Sequence, residues 1–325
     1  MNILVTGGCG LIGHNVVSQL EQLGHTVAVT DTKTNYGIIP QEEIDYLMSE
    51  RLKKITSPVY GADIASDSMD YLCKKHSIET IVHLASLPRQ KVVNANPMLG
   101  ARTMMEGLLN LLETARTNNV KKFVYVSSSM VYGDFDNNVT EDALCKPIGQ
   151  YGIMKLAGED LVKDYTRRGC FDHTIIRPSA VYGPLDVEDR VVAKFMLTAM
   201  RGGVLRVNGA NETLDFTYSE DAARGIVAAT LCDAANNKTY NITKSHSVSL
   251  LEAAQKIMNI ACNGTIEVRD KDADFPSRGA LNIDAAREDF GFDPQVDVQE
   301  GFHKYYEWLK HSPYWQKKLN EDSIH

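Results

Sequence analysis

The segment Thr6-Gly7-Gly8-Cys9-Gly10-Leu11-Ile12-Gly13 decides how this chain folds. It follows the apolar run Ile3-Leu4-Val5 directly and leads into a helical stretch near 11–23. Glycines recur at every third position, 7, 10 and 13. In a strand–turn–helix unit Gly7 permits the tight turn, Gly10 lets backbone approach a pyrophosphate, and Gly13 permits close packing of helix on strand. The helix N-terminus, with Leu11 and Ile12, then faces the phosphate charge. The next apolar run, Thr26-Val27-Ala28-Val29-Thr30, ends at Asp31, about 20 residues on, where a carboxylate accepts both ribose hydroxyls and repels a 2′-phosphate. Turn and acid together predict a dinucleotide site that prefers NAD to NADP.

Outward from this unit the pattern repeats. Nearly continuous apolar runs at 80–84, 122–126 and 174–177 alternate with helical stretches near 66–76, 97–118 and 149–168. Such runs fit parallel strands covered on both faces, and the alternation implies right-handed crossovers. The expected fold is α/β, a doubly wound parallel sheet with a smaller mixed C-terminal part for substrate. The expected division gives 1–177 and a returning segment 216–243 to the dinucleotide domain, and 178–215 with 244–325 to the substrate domain. Helices are expected near 188–201, 219–232, 248–262 and 297–311. Residues 32–55 break at Tyr36-Gly37-Ile38-Ile39-Pro40 and then turn polar and helical, which reads as an insertion beside the adenosine end.

Composition narrows the function. The chain has 325 residues, 43% hydrophobic and 23% charged, with a net charge of -8. That balance carries no basic footprint for nucleic acid or an anionic membrane. No apolar run approaches the roughly 20 residues of a membrane span. The chain begins without a cationic leader, so a cytoplasmic location is expected. The six dispersed cysteines read as reduced, mostly buried thiols, and no residue spacing suggests a metal. His83, ending a strand, reads as a packed histidine, and His14 as solvated or near the pyrophosphate.

Three further groups converge at strand ends: Ser127-Ser128-Ser129-Met130-Val131-Tyr132-Gly133, Tyr151-Gly152-Ile153-Met154-Lys155, and Arg177-Pro178-Ser179-Ala180-Val181-Tyr182-Gly183-Pro184. Tyr151 and Lys155, four apart, share a helical face. An ammonium beside the phenol lowers its pKa from the usual ~10, giving a phenolate that takes a hydroxyl proton while hydride leaves the same carbon. Lys155 also suits the nicotinamide ribose, and a serine hydroxyl suits the substrate oxygen.

With these motifs the chain resembles the extended short-chain dehydrogenase/reductase superfamily, in its NAD-dependent nucleotide-sugar epimerase/dehydratase group. The resemblance rests on the glycine turn, Asp63-Ile64, His83-Leu84-Ala85-Ser86, the serine run ending in Val131-Tyr132-Gly133, Tyr151-x-x-x-Lys155 and Arg177-Pro178. It implies Ser128 as the catalytic hydroxyl, four residues before the Val-Tyr-Gly tyrosine, with Tyr151 and Lys155 in the roles above. It places Asp63 and Ile64 at the adenine, Leu84, Ala85, Ser86 and Pro178 along the cofactor, and Ser129, Met130 and Ser179 toward substrate.

The resemblance also separates reactions. Dehydratases of the group carry an Asp-Glu pair after the catalytic hydroxyl, and decarboxylases keep the Glu; here those positions are Ser129 and Met130. Elimination therefore lacks its carboxylates, and a 4-epimerase is preferred, with a sugar dehydrogenase or reductase and a non-catalytic NAD-binding regulator as alternatives. Two residues that contact the nucleotide diphosphate in UDP-sugar epimerases are replaced, by Ala180 and Leu214, so the nucleotide is expected to be held differently. Arg89, Lys91, Arg190 and Arg278 are candidate anion contacts, with Arg278 the best match. The apolar helix through Met104, Met105, Leu108, Leu109, Leu111 and Leu112 suggests a homodimer.

Overall fold

A computed structural model describes residues 1–37, 39–272 and 275–322. Its centre is a seven-stranded sheet in which every neighbouring pair is parallel. In chain order these strands are β1 (Asn2–Thr6), β2 (Thr26–Thr30), β3 (Val59–Tyr60), β4 (Thr80–His83), β5 (Lys122–Val126) and β6 (Asp172–Pro178). After the short strands β7 (Val181–Tyr182), β8 (Val204–Asn208), β9 (Thr213–Asp215) and β10 (Thr217–Tyr218), the chain returns to add β11 (Lys238–Ile242). The spatial order β11-β6-β5-β4-β1-β2-β3 reverses direction at β1, and the glycine turn sits there, beside the crevice of a doubly wound sheet.

Alternation along each strand builds two cores. Ile3, Val5, Val27, Val29, Val82, Val124, Val126 and Ile176 face one side, packed on α1 (Gly13–Gln22) and on a later helix, Ser219–Leu231. Leu4, Ala28, Ile81, Phe123, Tyr125 and Ile175 face the other, against helices Ser68–His76, Gly107–Thr117 and Gln150–Arg167. A third core forms from Tyr182, Phe195, Met196, Leu205, Phe216, Ile257, Phe302, Tyr305 and Trp315, in the C-terminal half. There β13 (Thr265–Arg269) pairs with β8, and β12 (Ser247–Ser249) with β9.

The helices are α2 (Gln41–Leu52), α3 (Ser68–His76), α4 (Gln90–Ala95), α5 (Pro97–Ala101), α6 (Gly107–Thr117), α7 (Gln150–Arg167), α8 (Val191–Met200), α9 (Ser219–Leu231), α10 (Leu250–Ala261), α11 (Asp284–Phe290), α12 (Val298–His311) and α13 (Pro313–Asp322). The helix expected at 97–118 is divided: a π-helical stretch, Arg102–Glu106, lies between α5 and α6. The two sheet edges escaped the sequence pattern. β3 has only two residues, and β11, Lys-Thr-Tyr-Asn-Ile, is too polar to read as a buried strand, as suits an edge.

Other expectations need correction. Residues 32–55 begin beside the adenosine end, where the Lys33 amide donates to Asp31 and Tyr36 lies in the field of Asp31 and Asp63, but α2 extends to the far half of the molecule, where Tyr46 shares a hydrogen bond with Ser312 (2.6 Å) and stacks on Tyr314 (4.8 Å). Of the expected break at 36–40, Ile38 lies outside the described residues. Met104, Leu108, Leu111 and Leu112 are core residues, and only Leu109 of that run is exposed. Cys9 and Cys73 are buried, Cys145, Cys170 and Cys232 are half-buried, and Cys262 is exposed. His14 is buried, its Nδ1 2.9 Å from the Gly10 carbonyl, with burial pushing its pKa down to about 3. No described helix is long and apolar enough to cross a membrane.

One buried ion pair fastens the middle of the sheet to α7. Arg177 at the end of β6 donates from Nε to Glu159 Oε1 (2.9 Å) and from Nη2 to Oε2 (2.6 Å), and its Nη1 reaches the Tyr132 hydroxyl and the Glu141 carbonyl. Side chains of both partners are at most 4% exposed. Removing one member of such a pair leaves an uncompensated buried charge, at a cost of about 3–5 kcal/mol. Arg177→Met is expected to lose that much in urea denaturation, whereas Arg116→Ala, on a surface pair, should stay within about 0.5 kcal/mol.

Candidate active site

The glycine turn meets the requirements of a dinucleotide cradle. Gly7 has φ +70°, and a Cβ there would lie 2.6 Å from the Ala85 nitrogen, so the turn sits flush on the segment after β4. Gly13 fits against the turn itself, next to Gly7 and Gly8, rather than against a strand. A Cβ at Gly10 would meet only the Gly7 carbonyl, which leaves that face open to a ligand. No side chain caps α1, and its first turn carries no acid, so its N-terminus presents uncompensated positive potential. Asp31 accepts the Cys9 amide at Oδ2 (2.9 Å) and the Lys33 amide at Oδ1 (2.7 Å); these bonds orient the carboxylate and leave lone pairs for a diol. Asp63 accepts the Ala65 amide (3.0 Å), and Ile64 is buried against Gly107. Ala85 donates to Thr6 Oγ1 (3.3 Å), whose other partner is His83 Nδ1 (2.7 Å). His83 is thus a packed histidine, held neutral by burial and by Lys155 with its pKa near 3. Leu84 lies partly buried beside the first core, and the Ser86 hydroxyl bonds to the Leu87 carbonyl (3.1 Å).

The serine turn and α7 come together at the end of β5. Ser128 is extended (φ −164°, ψ 152°), and its Oγ accepts the Met130 amide (3.2 Å) and hydrogen-bonds Tyr151. A Cβ at position 152 would come within 2.6 Å of the Met130 carbonyl, so Gly152 lets the helix approach the turn closely. One turn on, Lys155 donates from Nζ to the Val126 carbonyl (2.8 Å) and lies 5.9 Å from the centre of the Tyr151 ring.

The electrostatics differ from the sequence expectation. Burial raises the Tyr151 phenol; Arg190 and the Ser128 hydrogen bond pull it back down, and Lys155 is not among the groups that do so. Burial also lowers Lys155 to about 7, against a smaller upward pull from Glu159. Both groups therefore disfavour their charged forms, and Arg190, from the loop after β7, adds a cation that favours the ionised phenol.

That loop gathers the candidate anion contacts. Arg89 pairs with Asp189 (2.9 Å), to which Lys91 also comes within 3.7 Å. Arg190 donates from Nη2 to the Pro88 carbonyl (3.2 Å), lies 3.8 Å from Asp186, and sits in the field of Arg278 as well as Tyr151. Burial lowers Arg278 to about 10, with Glu212 opposing and Arg190 adding to the shift. Arg278 lines a cavity of about 180 Å³ with Phe135, Asn137, Asn211 and Glu212. Arg89 and Lys91 pair with Asp189 of this loop, while Arg190 acts on both Tyr151 and Arg278, and Arg278 lines the cavity. Ser129 donates to Ser179 (3.2 Å), and Met130 and Pro178 are buried beside them. Ala180 has φ +35°, a left-handed conformation that Asn adopts far more readily than Ala. Sequence reasoning missed Glu159 and Arg51; both are charged residues on helices, a pattern that ordinarily marks a solvated face.

A family model described as the NAD dependent epimerase/dehydratase family matches residues 3–243. An uncharacterized UDP-glucose epimerase of Bacillus subtilis is 27% identical, over 93% of this chain and 95% of its own. UDP-glucuronate 4-epimerase 1 of Arabidopsis thaliana is 25% identical, over 95% of this chain and 76% of its own. The crystal structure of UDP-glucuronic acid 4-epimerase from Bacillus cereus, with UDP-glucuronic acid and NAD, has a TM-score of 0.87 and 25% identity, over 95% of this chain and 99% of that one.

Two measurements follow from the geometry. Asp31→Ala should weaken NAD binding by about 10- to 100-fold, the equivalent of a charge-assisted hydrogen bond or two, and relax discrimination against NADP; an unchanged preference in a fluorescence titration would remove Asp31 from the ribose. Lys155, lowered from 10.5 to about 7, binds its proton more tightly in the unfolded chain. Its charge therefore penalises the fold fully below pH 7, and the penalty fades as pH rises toward 10.5. The unfolding free energy of wild type minus that of Lys155→Met should accordingly rise from pH 7 to 10 in urea titrations without dinucleotide.

Proposed function

The chain belongs to the NAD dependent epimerase/dehydratase family, and from that membership we propose that it is a nucleotide-sugar epimerase, acting at C4 through transient hydride transfer with NAD retained. The observation that carries this reading is the intact Ser128–Tyr151–Lys155 group beside a serine turn with no carboxylate. Ser129 and Met130 fill the positions where elimination would need acids, and both are buried. The nearest acid on α7, Glu159, is committed to Arg177 and Ser127.

Bound NAD would supply a reversible hydride acceptor for the sugar carbon. The residues do the rest. Ser128 and Tyr151 hold the reacting hydroxyl between them, and Tyr151 takes its proton and gives it back. Lys155, buried with its pKa lowered to about 7, would hold the ribose. Arg190 and Arg278 receive the diphosphate, and the cavity at Phe135, Asn137 and Asn211 receives the nucleoside. With Ala180 and Leu214 in place of polar diphosphate contacts, those two arginines carry more of the anion's charge. On this reading residues 1–177 and 216–243 hold the cofactor, while 178–215 and 244–325 hold the substrate. Leu109 on α6 and Ile153 on α7, 40% and 53% exposed, offer the faces on which two cytoplasmic copies would pair.

Purified protein incubated with UDP-, GDP-, CDP- and dTDP-sugars is expected to interconvert one epimeric pair without net NADH. Stoichiometric NADH would make it a dehydrogenase, and tight NAD binding with no turnover of any sugar would make it a regulator. Tyr151→Phe should lower turnover by about 10²- to 10⁴-fold, the usual contribution of a positioned acid–base group, and leave NAD binding nearly intact. Loss of both together would make Tyr151 structural.

A further inference from the structure

Arg51, at the end of α2, is fully buried and touches both halves of the cleft. Its Nη1 donates to the Cys9 carbonyl in the glycine turn (3.1 Å), and its Nη2 donates to the Leu185 carbonyl in the loop after β7 (2.6 Å). Cys9 is bonded on its other side as well: its amide donates to Asp31, the ribose carboxylate. A continuous chain of contacts thus runs from the adenosine end of the cofactor site, through the backbone of Cys9 and one guanidinium, into the loop that carries Asp186 and Arg190.

The loop end of this chain is strained. Leu185 has φ +70°, a left-handed conformation that is strained for a non-glycine residue, yet its side chain is only 2% exposed. Its surroundings hold it there. The Arg51 bond fixes its carbonyl, Glu43 of α2 accepts the Glu188 amide (2.7 Å), and Asp186 caps the Val187 amide (2.9 Å). From the same loop Arg190 reaches the Pro88 carbonyl and the field of Tyr151. Two buried carboxylate oxygens, Glu43 Oε2 and Asp186 Oδ2, and Arg51 Nε have no hydrogen-bond partner among the described residues. A cluster this incompletely satisfied is stabilised poorly for its burial, which is the condition of an element with a second arrangement close in energy.

We propose that Arg51 is a positioning residue that transmits occupancy of the glycine turn to the loop at 185–190, so that the dinucleotide fixes Arg190 beside Tyr151 before substrate is engaged. The inference rests on the reading of this loop as the substrate side of the cleft. Ordering flows through two carbonyls, so a side chain that reaches only one of them breaks the link even if it keeps the charge.

Hydrogen exchange on the full chain, with and without NAD, tests this without any sugar. In wild type, NAD should slow exchange in peptides spanning 7–13 and also in those spanning 186–190, the latter by about fivefold or more, the lower end of typical coupling between linked sites. In Arg51→Met the slowing at 7–13 should persist at saturating NAD while that at 186–190 disappears. Arg51→Lys, which keeps a buried cation and serves if the Met variant fails to fold, should show the same separation. A merely structural role would loosen both segments together. Equal NAD-induced protection of 186–190 in wild type and Arg51→Lys, or none in wild type while 7–13 is protected, overturns the proposal. Because turnover plays no part, a chain that proved not to be an epimerase would still give a clear result.

Discussion

A single buried carboxylate, Glu159, sets the geometry on which the rest of the site depends. It accepts the Ser127 hydroxyl (2.6 Å) and two bonds from Arg177, so it ties the end of β5, the end of β6 and the middle of α7 into one rigid junction. Ser128 is the next residue along the strand end, and Lys155 and Tyr151 are one and two helical turns back along α7. A charged acceptor in a low-dielectric interior must be fully hydrogen-bonded to be tolerated, and here that requirement fixes the relative placement of three side chains that never touch it.

Burial beside this junction shifts the two titratable groups of the site in opposite senses, and for Lys155 Glu159 opposes the shift. Burial raises the phenol of Tyr151 and lowers the ammonium of Lys155, so neither favours its charged form, and their proton affinities move apart, the phenol up from its ordinary value and the ammonium down to about 7. The positive potential on the phenol comes from Arg190, in a loop built by the other half of the chain. Catalytic poise thus depends on how that loop is held, and Arg51 and α2 hold it.

Much of this was legible in the sequence, for physical reasons. Gly7, Gly10 and Gly13 report close approach of backbone, and that constraint leaves no other residue type. The apolar runs of β1, β2, β4, β5 and β6 report burial on both faces. Tyr151 and Lys155 follow from helical spacing. The edges β3 and β11 left no such mark, since β3 has only two residues and β11 mixes exposed Lys238 with a buried but hydrogen-bonded Asn241. Arg51, Glu43 and Glu159 read as solvated helix charges because their partners are 18 to 145 residues away, and nothing local distinguishes a buried ion from an exposed one. The replacement at Ala180 was visible as a departure from the family, but its backbone consequence, a left-handed alanine, was not.

The most direct test of the account uses a nucleotide sugar carrying deuterium at the carbon whose configuration changes. If Tyr151 moves only the hydroxyl proton while hydride is lent to NAD and returned, the product should keep its deuterium at that carbon in ordinary water. Nuclear magnetic resonance would show both epimers fully labelled. Wash-out of the label into solvent, or its accumulation on released cofactor, would contradict a closed hydride circuit at this site.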